Sequence, residues 1–83
     1  MTAIAAEVPT GLVDELIAFY CNWRTECAVV RAAYEHFSGA SKTDRGLAFA
    51  AYEAALDREQ SAADTYASQV DLVTSLCATR AAA

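Results

Sequence analysis

The sequence has few of the residues that interrupt helices. It contains one proline and three glycines in 83 residues, and neither type occurs after Gly46. Alanine, the strongest helix former, occurs 20 times. This composition argues against a β-rich fold and predicts an all-α protein with a single small domain.

Positive charge is also scarce, since six Lys and Arg stand against eleven Asp and Glu for a net charge of −5. Binding to a nucleic-acid backbone requires clustered cations, so we expect no nucleic-acid partner. Uninterrupted apolar runs such as Leu47–Tyr52 are far shorter than the roughly 20 residues that span a bilayer. We therefore expect no membrane partner and a cytoplasmic protein.

Cysteine and histidine are too few and too scattered to indicate a metal site. Cys21, Cys27 and Cys77 are odd in number and show no CxxC spacing, and His36 is the only histidine. We expect no metal and no cofactor, and we interpret the cysteines as buried free thiols that act as small hydrophobes. No glycine-rich phosphate loop or nucleophile elbow is present, so we predict that the chain is not an enzyme.

Two long segments repeat apolar residues at alternating spacings of three and four. The repeats are Val13, Leu16, Tyr20, Trp23, Cys27, Val30, Tyr34, Phe37 and Phe49, Tyr52, Leu56, Glu59, Ala63, Tyr66, Val70, Val73, Cys77. A spacing that averages 3.5 residues keeps one stripe on one face of a helix, as in a coiled coil. The pattern predicts helix 1 over about 10–38 and helix 2 over about 42–78. Pro9 precedes helix 1, Thr10 is its expected cap, and Gly39 its expected left-handed C-terminal cap.

The short connection between the helices predicts that they are antiparallel neighbours, a helical hairpin. Ser41 is placed to cap helix 2, with Asp44 three residues later completing a variant capping box. The predicted organisation is an N-terminal arm at 1–9, the hairpin domain at 10–80 and a frayed tail at 81–83.

One flank of the predicted seam is largely apolar and rich in small residues. Its predicted interface residues are Leu12, Phe19, Ala33, Ala48, Ala55, Ala62 and Leu76. Such a face is unstable in water, so we predict that two hairpins associate through it as a homodimeric four-helix bundle. The other flank carries Arg31 and Glu53, which we expect to pair. The function predicted is a helical protein–protein interaction module that self-associates and binds or inhibits another protein.

Glu59 is the one acid in the predicted stripe, and Trp23 is its expected neighbour across the seam. We favour a structural role, in which Glu59 accepts a hydrogen bond from the Trp23 indole or pairs with Arg24. The alternative is a small-ligand or catalytic bundle centred on Trp23, Cys27 and Glu59, with a buried carboxylate acting as acid or base.

The turn carries Phe37-Ser38-Gly39, nearly midway along the chain. Two antiparallel helices joined by an aromatic-x-Gly turn resemble the small secreted WXG-type hairpins of actinobacteria. The resemblance implies export, which is a further alternative for the function. Phe37 stands where that family has Trp, and Val70 follows Tyr66 where the family's trailing signal has Asp or Glu. The alanine-rich composition suits a bacterial or phage protein.

Overall fold

The structure is a computed structural model that describes residues 8–82, and this part of the chain forms two helices. Helix α1 is Thr10–Ser38 and helix α2 is Arg45–Ala82. The helices are antiparallel, since Phe37 near the end of α1 contacts Phe49, whereas Leu12 near its start contacts Gln69. The predicted all-α helical hairpin is confirmed.

The hairpin is a rod one helix thick, with extents of 66 × 17 × 12 Å. Its radius of gyration is 19.0 Å, whereas a compact domain of this length has a value of about 12 Å. In a single layer each helix packs against one neighbour only. Among the described residues, the buried hydrophobic side chains are therefore those of three alanines. The hairpin has no closed core of its own.

The ends of α1 differ from the prediction. Pro9, with φ −55° and ψ 134°, is the N-terminal cap residue, and Thr10 is already helical. The Pro9 carbonyl accepts the Leu12 N–H at 3.1 Å, and no side-chain cap is formed. Gly39 has φ −96° rather than a left-handed conformation, because its N–H continues the helical pattern by donating to the Glu35 carbonyl at 3.1 Å.

The predicted contact between Ser41 and Asp44 is confirmed, but of the two bonds of a capping box only the one to the Asp44 N–H is formed between these described residues. The Asp44 N–H donates to Ser41 Oγ at 3.3 Å, and the Ser41 hydroxyl donates to Asp44 Oδ2 at 3.2 Å. A turn at 42–44 intervenes, so the helix begins at Arg45 rather than at 42.

The C-terminal end of α2 is longer than predicted. The helix continues to Ala82, because alanines close the sequence and no helix breaker interrupts them. The first two residues of the predicted frayed tail at 81–83 are therefore helical, and residue 83 lies outside the described part. Of the predicted arm at 1–9, only Val8 and Pro9 are described.

The seam between the helices is rotated by one row from the predicted stripe. The residues that line it are Leu12, Leu16, Phe19, Trp23, Glu26, Val30, Ala33, Phe37 in α1 and Ala48, Tyr52, Ala55, Glu59, Ala62, Tyr66, Gln69, Val73, Leu76 in α2. Ala48, Ala55 and Ala62, here called the alanine row, are 3%, 0% and 7% exposed. The seam residues are again spaced by 3.5 residues on average, as in a coiled coil. The predicted spacing is therefore present, but in a different set of residues.

This seam corrects the predicted interface. The structure places Leu12, Phe19, Ala33, Ala48, Ala55, Ala62 and Leu76 in the rows that face the other helix of the same chain. Small side chains let two helices approach closely, so α1 itself covers the alanine row. Tyr20 and Tyr34, which belong to the predicted stripe in α1, have a hydroxyl that favours contact with water, and this favours their position beside the seam.

Candidate functional site

The half of the predicted stripe that is not in the seam lies on one side of the hairpin. This surface, here called the aromatic face, is formed by Val13, Tyr20, Cys27, Tyr34 of α1 and Phe49, Leu56, Ala63, Val70 of α2. Its five largest exposed side chains (Val13, Tyr20, Tyr34, Phe49 and Leu56) are between 37% and 52% exposed. Beneath them lie half-buried rings of the seam. The face is therefore a continuous apolar surface that no other part of residues 8–82 covers.

One cluster of rings occupies the middle of the aromatic face. The Trp23 and Tyr66 rings stack with centroids 5.8 Å apart and planes 7° from parallel. Tyr20 meets both at an angle, 6.0 Å from Trp23 and 5.5 Å from Tyr66. Aromatic pairs at these distances contribute roughly 0.5–1.5 kcal/mol each beyond the area that they bury. The cluster joins α1 to α2 while leaving part of Tyr20 on the surface.

A second cluster lies nearer the turn. Phe37 stacks on Tyr52 at 6.1 Å and tilts against Phe49 at 5.4 Å, and Tyr34 contacts Tyr52 at 5.5 Å. The Arg45 guanidinium lies 5.5 Å from the centre of the Phe37 ring, a cation–π contact at the end of the cluster. This second cluster therefore also joins α1 to α2.

Glu59 and Trp23 meet as predicted. The Trp23 indole Nε1–H donates to Glu59 Oε2 at 2.7 Å, and both residues are half-buried. A hydrogen bond to an ionised acceptor is stronger than a neutral one. The contact gives the single acid of the stripe a partner and supports its structural role. The alternative pairing of Glu59 with Arg24 is not formed between these described residues.

The opposite side of the seam carries polar side chains around an open groove. The groove, of about 310 Å³, is lined by Phe19, Asn22, Glu26, Arg58, Ser61, Ala62 and Thr65. Arg58 Nε lies 3.5 Å from Glu26 Oε1 across the seam, and the arginine side chain is exposed. Gln69, which is buried, donates through Nε2 to the Leu12 carbonyl at 3.0 Å and contacts Glu15 Oε1 at 3.4 Å. Polar contacts between the helices therefore close this side.

The ion pair between Glu26 and Arg58 replaces the predicted one. Arg31 and Glu53 lie on opposite edges of the hairpin, and within residues 8–82 they do not form a salt bridge. Sequence reasoning did not identify the contacts of Gln69 or Arg58. For Gln69 the signal was its place in the heptad series that contains the alanine row.

The three thiols are free but less buried than expected. Cys21 and Cys77 are exposed and Cys27 is half-buried within the aromatic face. Cys21 lies on an outer row of α1, and the side chain of His36 is exposed.

No protein-family model, curated protein or solved structure matches this chain. Within residues 8–82, no group of three His, Cys, Asp or Glu side chains is arranged to hold a metal ion. Neither of the two described helices is both long and apolar enough to cross a membrane. Five of the eight large hydrophobic side chains that are exposed in the described part of the chain lie on the aromatic face.

Proposed function

We propose that this chain is a non-enzymatic helical interaction module that self-associates through its aromatic face as a four-helix bundle. The observation that carries the proposal is the exposure of large apolar side chains along one side of a layer 12 Å thick. Contiguous apolar surface of this kind on a small protein marks an interaction site. The proposed setting is the cytoplasm, and export remains the alternative that the WXG-like turn suggests.

A second copy of the chain suits the dimensions of the face. Its α1 row runs from Val13 to Tyr34, about 32 Å at roughly 1.5 Å per residue. The layer is 17 Å wide. A surface of this length and width is of the order of the roughly 800 Å² per partner that a standard dimer buries. In a two-fold dimer the same patch is used by both subunits, and an almost wholly apolar patch can pack against its own copy.

Self-association would also give the hairpin a closed hydrophobic core, which a single layer of two helices lacks. A chain of this size has a small margin of stability, which disulfides, metals or oligomerisation can raise. The three cysteines are free in the structure, and the buried hydrophobic side chains of residues 8–82 are alanines. Packing two aromatic faces together completes a core around the rings. The outer polar rows of the dimer then remain to bind or inhibit another protein.

The test is the mass of the protein by light scattering across a concentration series. The key variant is Leu56→Glu, which places a charge in the aromatic face at a side chain that is 38% exposed. Its matched control is Leu47→Glu on an outer row, where the side chain is 79% exposed. Helix content measured by circular dichroism verifies that each variant is folded.

We expect the wild type and Leu47→Glu to reach twice the single-chain mass of 8.8 kDa as concentration rises. Leu56→Glu stays at the single-chain mass while remaining helical, because dimerisation would bury its charge. A wild type that stays at 8.8 kDa throughout would show that the homodimer is wrong. A Leu56→Glu variant that dimerises like the wild type would show that another surface is used.

A further inference from the structure

We infer that the two hairpins pack face to face about a two-fold axis parallel to their helices, so that α1 of each lies against α2 of the partner subunit. This inference rests on the proposed self-association and specifies its geometry. It follows from the chemistry of the two edges of the aromatic face. The observations that support it are the charge of each residue at these edges and its position along the length of the hairpin.

Each edge of the aromatic face is bordered by one row of exposed residues. The α1 edge is Ile17, Arg24 and Arg31, and the α2 edge is Ala67, Gln60 and Glu53. Every one of them lies three or four positions from a residue of the face on its own helix, so it borders that face. The α1 edge carries two positive charges, and the α2 edge carries one negative charge.

The contact between Glu26 and Arg58 shows which edge residues are level with each other. Arg31 lies five residues after Glu26 in α1, and Glu53 lies five residues before Arg58 in α2. In antiparallel helices equal steps keep two residues level, so Arg31 and Glu53 lie at the same height. The same reasoning places Arg24 level with Gln60 and Ile17 level with Ala67.

These three level pairs are chemically matched, but they do not meet within one chain. In the first pair both residues are aliphatic, in the second an arginine is level with an amide, and in the third an arginine is level with a carboxylate. Gln60 donates its side-chain N–H to Asp64 at 3.0 Å, which leaves its amide oxygen as an acceptor for a cation. The two members of each pair border opposite edges of a layer 17 Å wide, so the match requires a second chain.

A two-fold axis that runs along the middle of the face, parallel to the helices, leaves each residue at the same position along the rod. It places the α1 edge of one subunit over the α2 edge of the other. Arg31 then lies opposite Glu53 of the partner subunit, and Arg24 lies opposite Gln60 of the partner subunit, with each contact made twice. A two-fold axis perpendicular to the helices would instead lay α1 against α1 and bring the two arginine edges together. Like charges that face each other in this way oppose association, so the first arrangement is favoured.

Charge reversal at one matched pair tests this geometry. The variants are Arg31→Glu, Glu53→Arg and the chain that carries both changes, each measured alone and the first two as an equimolar mixture. Native mass spectrometry at low ionic strength distinguishes the two homodimers from the heterodimer by mass. The control mixture is Lys42→Glu with Asp57→Arg, which reverses two exposed charges outside the aromatic face.

Each single variant should form a homodimer about tenfold weaker than the wild type, because two attractive contacts become two repulsive ones. In the mixture the heterodimer restores both contacts, so it should exceed the half share expected from random pairing. The double variant should dimerise like the wild type, and the control mixture should pair at random. Raising the salt to 1 M should reduce these differences, since the charges are exposed.

Two outcomes would overturn this geometry, and only the second would also overturn the proposed self-association. If the wild type dimerises but the mixture pairs at random and Arg31→Glu associates as tightly as the wild type, this geometry is wrong while self-association stands. If the wild type remains a single chain at every concentration, the proposed function fails together with the geometry.

Discussion

The two sides of the seam contrast in what they bury. On one side the alanine row is covered by α1, and the polar contacts of Gln69 and Arg58 cross the seam beside it. On the other side lie the rings of the aromatic face, none of them buried. The difference shows that in a layer of two helices the size of the side chain decides burial more than its hydrophobicity does. Helices meet closely where side chains are methyl groups, and most of the larger rings lie toward one side.

This contrast has a consequence for function. On the polar side the buried amide of Gln69 has hydrogen-bond partners in the chain. The aromatic face leaves several large apolar side chains partly in water. A second layer on that face alone would complete the packing, which is why the proposed interaction uses the rings and not the alanines.

The largest expected effect comes from enlarging the alanine row. Ala55→Leu adds three carbon atoms at a site that is fully buried between the helices. Overpacking of this kind costs about 1–3 kcal/mol, so we expect the free energy of unfolding in urea to fall by that amount. Ala54→Leu, on the exposed neighbouring position, is the control and should change stability by less than about 0.5 kcal/mol. Equal effects of the two variants would mean that the alanine row is not in the seam.

A smaller effect should follow from removing the polar contact beside the alanine row. Gln69→Ala deletes the hydrogen bond to the Leu12 carbonyl and leaves a small cavity. We expect a loss of about 1–2 kcal/mol, together with faster amide hydrogen exchange in the first turns of α1. The control is Thr65→Ala, whose side-chain hydrogen bond stays within α2. If amide exchange in α1 is the same in both variants, Gln69 does not hold the start of that helix.

The smallest effect concerns the single charge among the rings. Glu59→Gln keeps an oxygen that can accept the Trp23 N–H but removes the negative charge. We expect the hairpin to lose about 1 kcal/mol, because a hydrogen bond to a charged group is stronger. The dimer should at the same time become tighter, because no carboxylate is buried between subunits. Glu35→Gln on an exposed outer row is the control. An unchanged dimer affinity for Glu59→Gln would place Glu59 outside the interface, and a weaker dimer would mean that its charge favours association.

Local signals in the sequence were sufficient to predict the hairpin and some of its contacts. Pro9 and the short turn delimit the helices, and the alternating spacing of apolar residues identifies their inner faces. The hydrogen bond between Trp23 and Glu59 follows from the hairpin register and the chemistry of the two groups. The bond between Ser41 and Asp44 needs only their spacing of three residues.

The row that forms the seam was not predictable from spacing, because the apolar face of each helix is three rows wide. In α1, Leu16 can be grouped with Val13 and Tyr20 or with Leu12 and Phe19, and both groupings average 3.5 residues. The choice depends on how closely the helices approach, which is a property of the pair. Alanines at intervals of seven in α2 and tyrosines in the competing row were the signals for the observed seam.

The most direct test of this account compares two neighbouring positions, Ala55 in the seam and Leu56 on the aromatic face. Ala55→Cys and Leu56→Cys are made separately in a chain whose three native cysteines are replaced by serine. The rate of thiol alkylation is then measured in dilute and in concentrated protein. We predict that the thiol at position 55 reacts slowly at every concentration, whereas the thiol at position 56 reacts quickly when dilute and slowly when concentrated. A fast reaction at 55 with a slow one at 56 in dilute protein would contradict the account.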